Sequence, residues 1–502
     1  VAKNEIRLEY SGFVIFAAQL LSVATGVIFQ LIIIRAIGAI NPPDKVSEVY
    51  GIWSNVSKDV LPYFTLMAGV LPFWALRFTA RGKEGAVKTG VLANLTISFI
   101  AALIYILLVP FIVSALGVSD YSFLYFVTAV QIVDIYAINV FEACIQAKKP
   151  HVIGYGLLLR ELSKVSLGYI LINVVFSYDP LIGAMLSLII AFTLQSIYYF
   201  RLLSDDLKQK VQWNYLREWL KGSVANIYNV VGNQIAAFIF IMLFIYGGES
   251  ARGVYGAASL IAAIISYSSY LAFALYPKLL AEGKSEDVTT AIRIVLMFAL
   301  PMTAGAIVLS DSYLTIFSYE FRAATTVLVV LAIDALVATL SGVYGTVVIG
   351  FEKVDEKAQI SFKELLKSRL FLAFSLPYLH SAITLPTTFY ALTVCVQNDP
   401  VQAALYVSII NSAARFAMFL IQYVIVRKIV RVKVPWSNIA KYLFASALMA
   451  IVLFWLPHPT TIMLTFAITA VGGILYLLVV MALDRDARIL ISRILQTVKI
   501  KS

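Results

Sequence analysis

Apolar residues in this chain do not alternate with polar ones; they run in unbroken blocks of about twenty, the length a helix needs to cross hydrocarbon. Fourteen such blocks stand out, at 12–37, 59–78, 88–116, 120–145, 153–177, 181–202, 223–246, 253–276, 290–310, 322–349, 369–396, 401–426, 438–456 and 460–483. They are numbered here as segments one to fourteen. Continuous runs of this kind exclude a membrane β-barrel, whose strands alternate. Two connections are longer than the rest, 203–222 and 350–368. They mix both charge signs with apolar residues, among them Leu207, Val211, Trp213, Leu216 and Trp219 in the first. That pattern predicts amphipathic helices on the inner membrane surface.

Composition supports a lipid solvent. Of 502 residues 61% are hydrophobic and 13% charged, against about 25% charged in an ordinary soluble domain. The net charge of +11 does not point to nucleic acid, because the cations alternate by connection. With the N-terminus inside, about thirty of the 39 Lys and Arg fall in the inner connections and ends, as the positive-inside rule requires. Only Arg35, Lys45, Lys58, Arg252 and Arg322 lie at the outer rims. One helix more or fewer would invert every later connection and erase the bias. The expectation is a multi-pass protein of the cytoplasmic membrane with both ends cytoplasmic. The first block is too long for the core of a signal peptide, so no cleavable signal is expected.

The chain repeats itself. Val49-Tyr50-Gly51 returns as Val254-Tyr255-Gly256, and Leu71-Pro72 as Tyr276-Pro277. Val133-Asp134 in segment four matches Ile333-Asp334 in segment ten. Arg160-Glu161-Leu162 with Lys164 matches Lys363-Glu364-Leu365 with Lys367. Asp179-Pro180 opens segment six and Asp399-Pro400 opens segment twelve. The order is the same in both copies, and each copy holds six helices. Six is even, so both copies share one orientation. The predicted architecture is an all-α integral membrane protein of fourteen transmembrane helices, two parallel six-helix lobes plus two extra C-terminal helices. The boundaries are an N-lobe at 1–202, an inner linker at 203–222, a C-lobe at 223–426, and segments thirteen and fourteen with a cytoplasmic tail at 427–502.

Ile34-Arg35-Ala36-Ile37-Gly38 running to Val49-Tyr50-Gly51-Ile52-Trp53-Ser54, Gly253-Val254-Tyr255-Gly256-Ala257-Ala258, and the prolines at 72 and 277 carry a resemblance. With the fourteen-segment layout, they resemble the polysaccharide biosynthesis flippases of the multidrug/oligosaccharidyl-lipid/polysaccharide exporter superfamily. In that family the Gly-aromatic steps are turns after segment one and before segment eight. The resemblance implies movement of polyisoprenyl-linked oligosaccharide across the membrane by alternating access of two lobes. Segment eleven departs from the pattern, being stretched and interrupted by Pro377 and Pro386.

Polar residues inside hydrocarbon mark candidate sites. Ser223, Asn226, Asn229 and Asn233 share one face of segment seven, and Gln19, Ser22, Gly26 and Gln30 one face of segment one. Such groups need partners in lipid. The functional reading makes Gln19, Gln30, Asn226, Asn229 and Asn233 part of a sugar-binding cavity, since the resemblance places segments one and seven against a central cleft. The structural reading is hydrogen bonding between helices. A charge at the bilayer centre costs about 2.5–3.5 kcal/mol on insertion scales. Arg415, deep in segment twelve, has no acidic neighbour in sequence, and Arg160 and Lys164 lie one turn apart on segment five. Several cations suit a pyrophosphate, so these three are the candidate phosphate ligands. The structural reading for Arg160 and Lys164 is snorkelling, with Glu161 paired locally. Asp134, Glu142, Glu161 and Asp334 are candidates for proton or sodium coupling, or for ion pairs with Arg160 or Arg415. Matching places for Asp134 and Asp334 favour a shared structural role. His380 reads as a core residue.

Other chemistry is excluded or unprompted. Two cysteines, Cys144 and Cys395, and three scattered histidines form no disulfide framework or metal site. Gly82-Lys83 and Gly283-Lys284 lack the upstream glycine of a phosphate loop. No cofactor, metal or catalytic residue is expected, and the chain is not expected to be an enzyme. The expected partners are a lipid-linked oligosaccharide and membrane lipids, with contacts to glycan-assembly enzymes around a monomer. Rival readings are a cation-coupled multidrug or small-molecule exporter of the same fold and a lipid II-type flippase. A different class is a membrane glycosyltransferase or ligase acting on lipid-linked sugars.

Overall fold

The computed structural model describes the backbone of residues 2–149, 151–272, 285–351, 369–396, 398–430, 432–485 and 487–488. Within these, the side chains of 2–17, 19, 20, 23, 225, 270–272, 285–287, 349–351, 369 and 370 lie outside the description. So do the Tyr276-Pro277 and Gly283-Lys284 steps, the 352–368 part of the second long connection, and the Lys363–Lys367 half of one repeat match. Every regular element among the described residues is helical. Nine helices among them are long and apolar enough to cross a membrane, or ten if one bent pair counts as a span. Their flanks carry rows of exposed apolar side chains, such as Phe99, Leu103, Leu107 and Phe111. Rows of this extent are untenable in water, and the chain is a multi-pass membrane protein.

The helices fall into two units of dense internal contact. The first comprises residues up to Gly253 with Pro377–Ser381, and the second most of the chain from Val254 onward. In the first, segment one is the helix Ala2–Ile40. Segment two starts earlier than its hydropathy predicts. Helix begins at Val46, loosens to a π turn at Asn55–Val60, and bends by 59° between Phe64 and Leu66 before Val70–Ala80. Pro62 and Pro72 each sit in the first turn of a new helical stretch, where a missing N–H costs nothing, and a proline there prevents the ladder from running through. Segments three to seven are Ala86–Leu116, Ser122–Lys148, His151–Ile170, Pro180–Leu202 and Val224–Gly247.

The first long connection forms the helix Trp213–Gly222. Its two faces are unlike, as predicted. Trp219 is fully buried, edge-on to Phe78 at 5.4 Å, within a core of Leu71, Trp74, Val140, Phe141 and Tyr199. Trp213 and Leu220 are exposed.

The second unit takes over at Val254, inside the helix Glu249–Ser266 of segment eight, which tightens to a 3-10 turn at Tyr267–Ala272. It continues with Ser285–Val308, Thr325–Phe351, Arg369–Tyr390, Pro400–Ile429, Trp436–Trp455 and Ile462–Leu483. The last two pack with Met297 of the first of these, and with Leu309 just after it, around Tyr442, Met449 and Tyr476.

Two sequence expectations need correction. Both Val-Tyr-Gly steps are helical, not turns: the first lies inside Val46–Ser54 and the second inside Glu249–Ser266. Gly51 of the first step and Gly253, just before the second, serve close packing, as described below. Segment eleven is not broken at its prolines, since helix runs through Pro377 and Pro386 as far as Tyr390. Ser375, Ser381 and Thr387 each donate a hydroxyl to the carbonyl one turn back, on Phe371, Pro377 and Ile383.

The Asp-Pro repeat survives in atomic detail. Segments five and eleven both end in a π turn, at Leu171–Val175 and Ala391–Cys395. After each, an aspartate caps the next helix with proline in its first turn. Asp179 accepts from the Ile182 N–H at 3.3 Å, and Asp399 from Val401 and Gln402 at 3.0 Å each. Aspartate at this place answers orphaned N–H groups, and proline next to it has none to orphan.

Candidate functional site

Segment five presents Arg160, Glu161 and Lys164 to segments one and six. Glu161 is 2% exposed and is surrounded by donors. Arg160 gives it Nε and Nη2 at 3.2 and 3.1 Å, Lys164 its ammonium, and Thr25 of segment one a hydroxyl at 2.6 Å. The Arg160 guanidinium also lies over Phe192 at 4.8 Å, and the Lys164 ammonium faces Phe29 at 5.8 Å. One carboxylate thus holds two cations, and the cluster keeps one net positive charge. Local pairing with Glu161 is realised. The side chain of Arg160 remains about one-fifth exposed, at 20%.

Arg415 and Asp334 meet in the second unit. Nε stands 3.1 Å from Oδ1, yet Oδ1 accepts no hydrogen bond among the described residues. The pair is coulombic, and the angular demand of a hydrogen bond is unmet. Arg415 is 36% exposed along its side chain, so its planar fork of donors is left for another acceptor. The cation without an acidic neighbour in sequence has one in space, on segment ten.

Asp134 is different. It is buried, and its two oxygens receive the Thr193 hydroxyl at 3.2 and 3.1 Å. No Arg, Lys or His bridges it among the described residues. Asp134 and Asp334 therefore do not share a role: one pairs with a hydroxyl, the other with a guanidinium. Glu142, on the same helix, accepts from Gln195 Nε2 at 3.0 Å and from the Tyr199 hydroxyl at 3.3 Å.

The polar stripes divide. The Gln30 carbonyl accepts from the Tyr50 hydroxyl and the Trp53 indole N–H, both at 3.2 Å, which ties segment one to the Val46–Ser54 helix. The side chain of Gln19 lies outside the described residues. On segment seven, Ser223 is fully buried, accepting from Trp74 and donating to the Trp219 carbonyl. Above it the face opens. Asn226 and Asn229 are half-buried and Asn233 is exposed, its amide donating to the Asn229 backbone and side-chain oxygens at 2.8 and 3.1 Å. Tyr378 of segment eleven lies flat on Tyr228 at 4.5 Å and donates to its carbonyl at 2.7 Å. His380, as expected, is buried.

One constellation has no forewarning in the spacing. Arg252 and Asp59 form a buried bidentate pair at 2.6 and 2.8 Å. Beside it the Ser47 and Ser250 hydroxyls meet at 2.5 Å. The two helices touch backbone to backbone: a methyl on Gly51 would stand 1.9 Å from the Glu249 carbonyl oxygen, and one on Gly253 1.8 Å from that of Ser47. Burial pushes the Glu249 carboxyl up to about 7, with the Glu48 carboxylate adding to the shift and Lys45 opposing it. The glycines within the repeated motif are the signal that could have located this contact. Among the described residues no group of His, Cys, Asp and Glu could hold a metal ion.

No family model matches the chain, and no curated protein matches it. Solved structures do. The lipid II flippase MurJ in an inward closed conformation superposes with a TM-score of 0.65 at 14% identity, over 94% of this chain and 99% of that one. An inward-facing multidrug resistance MATE family transporter of the MOP superfamily gives 0.59 at 14% identity, over 80% and 94%. A MOP superfamily transporter from Pyrococcus furiosus gives 0.55 at 14%, over 84% and 96%. At such identities the likeness is one of architecture, and the chain has the fold of the MOP superfamily transporters.

Proposed function

We propose that this protein is a flippase that moves a polyisoprenyl-phosphate- or pyrophosphate-linked oligosaccharide across the cytoplasmic membrane. Its parts are two six-helix lobes, 1–202 and 223–426, that alternate access to one cavity, with segments thirteen and fourteen outside the repeat and both ends cytoplasmic. The observation that carries the substrate class is Arg415, an intramembrane guanidinium one-third exposed, whose contact with Asp334 makes no aligned hydrogen bond among the described residues. A planar fork in low dielectric suits a phosphate better than an organic cation. The net positive charge left on Arg160, Glu161 and Lys164 adds to the same preference. Asn226, Asn229 and Asn233 supply the open amide face that a sugar needs, with Gln19 and Gln30 as further candidates. Gln30 has its carbonyl committed and only its amide N–H groups to offer. The work is transport, and glycan-assembly enzymes would supply the cargo to a monomer.

Lipid II-type cargo is the second reading, favoured by the MurJ likeness and by the shared polyprenyl-pyrophosphate chemistry. Vesicles carrying a labelled polyprenyl-pyrophosphate sugar test both. The wild-type chain is expected to expose the inner-leaflet label to a membrane-impermeant reagent, and Arg415→Ala to abolish that exposure while inserting normally. Competition by a lipid II analogue against a neutral-lipid control assigns the cargo. Full movement by Arg415→Ala would end the phosphate-ligand reading.

A further inference from the structure

Five carboxylates within the membrane segments, Glu142 half-buried and the other four buried, are of two kinds. Glu161, Asp59 and Asp334 each face an arginine or lysine. Asp134 and Glu142 form no ion pair among the described residues; their hydrogen-bond partners are Thr193, Gln195 and Tyr199, all neutral and all on segment six. They lie two turns apart on segment four. An ionised carboxylate among neutral groups in hydrocarbon is expensive, and such a group neutralises instead.

Bond counting says how. Gln195 is 0% exposed, its amide nitrogen is on Glu142, and its carbonyl oxygen has no donor. The carbonyl oxygen of Gln131, one turn before Asp134, is likewise buried with no donor among the described residues. The interface between segments four and six is therefore short of donors. An ionised carboxylate can only accept, whereas a protonated one donates an O–H. Two added protons would supply the two donors that the orphaned oxygens lack. A sodium ion would balance charge as well, but Oε1 of Glu142 already receives the Gln195 N–H, whose positive end repels a cation. The charged group that acts on Glu142 is Arg160 of segment five, itself held by Glu161. No charged group of segments two or three acts on either carboxyl among the described residues.

We infer that Asp134 and Glu142 form a proton-loading site between segments four and six, each holding its proton as a neutral carboxylic acid that donates to a buried amide oxygen, of Gln131 or Gln195. On release the O–H bond breaks, the proton passes to water, and a bare carboxylate remains. The empty site then favours an arrangement that lets water reach segment four. That the site drives cargo movement rests on the transporter reading; that it holds protons does not.

Infrared spectra of the full chain in detergent test the site without any cargo. The C=O stretch of neutral carboxylic acid is expected near neutral pH and should vanish as pH rises. Asp134→Asn and Glu142→Gln should each remove about half of the part lost in the double variant. Spectra of the double variant that match wild type at every pH would overturn the proposal. So would loss of the wild-type band on adding sodium chloride at fixed pH, a result that needs no variant and would assign sodium instead. In vesicles, an imposed pH gradient should accelerate the wild type and leave Asp134→Asn unaffected. A titrating band with no movement in vesicles would leave the site standing and remove the transporter reading.

Discussion

Removing one partner of a buried ion pair strands the other, and that loss exceeds whatever the pair contributes over apolar residues of similar volume. Asp59 and Arg252 are such a pair, both almost fully buried and joined by two parallel hydrogen bonds. Arg252→Met should cost about 3–5 kcal/mol by leaving the Asp59 carboxylate uncompensated. Asp59→Leu combined with Arg252→Met should recover most of that loss. Thermal unfolding of the three variants in detergent gives the comparison. A double variant as unstable as the single one would mean that the pair has a role beyond mutual neutralisation. Arg415 and Asp334 should behave differently, because their contact lacks hydrogen-bond alignment and less is stranded when it is broken.

Helices approach to backbone contact only where side chains are absent, and the crossing of Val46–Ser54 with the first turn of Glu249–Ser266 depends on two glycines. A Cβ at either position would sit within 2 Å of a carbonyl oxygen, at 1.9 Å for Gly51 and 1.8 Å for Gly253. No rotamer relieves such an overlap, since the obstacle is backbone. Gly51→Ala or Gly253→Ala must push the helices apart, lengthening the Asp59–Arg252 and Ser47–Ser250 bonds together. Disulfide formation between Ser47→Cys and Ser250→Cys reads that separation directly. Rapid cross-linking is expected in a chain with Gly51 intact, and a loss of at least about tenfold in rate with Gly51→Ala, because a shift of roughly 1 Å takes the cysteines out of bonding range. Unchanged cross-linking would show that the crossing tolerates a methyl. Hydropathy made the helices legible because lipid imposes one simple demand along each of them. It gave the wrong start for segment two, where Ser54, Asn55, Ser57, Lys58 and Asp59 interrupt the apolar run while the backbone continues as helix. In that stretch Asp59 is answered by Arg252 and the Asn55 side-chain oxygen by the Tyr125 hydroxyl at 2.7 Å, both from other helices.

What spacing could not supply was partnership across the chain. Arg415 looks uncompensated in sequence because Asp334 lies on another segment, and Asp134 looks like a twin of Asp334 because the repeat aligns them, though only one of them meets a cation. Repeats conserve element order better than they conserve which side chain faces which. Topology is the converse case: the distribution of cations predicts it with no contact known, and it can be tested for the molecule as a whole. If both ends lie inside and every expected segment spans, connections alternate strictly between the two sides. Lys83 and Lys210 then lie on the inner side, Asp120 and Ser177 on the outer, and all four are exposed. Of the native cysteines Cys144 is buried and Cys395 exposed, so Cys395→Ser provides the background. An impermeant maleimide added to intact cells should label Asp120→Cys and Ser177→Cys, and should reach Lys83→Cys and Lys210→Cys only after the membrane is opened. Labelling of Lys83→Cys in intact cells would invert the N-terminal half. Labelling of Lys210→Cys alone would mean that one of segments three to six does not cross. Either result would break the six-helix repeat on which a shared orientation of the two lobes depends, and with it the two-lobed transporter, whatever the chemistry of Arg415.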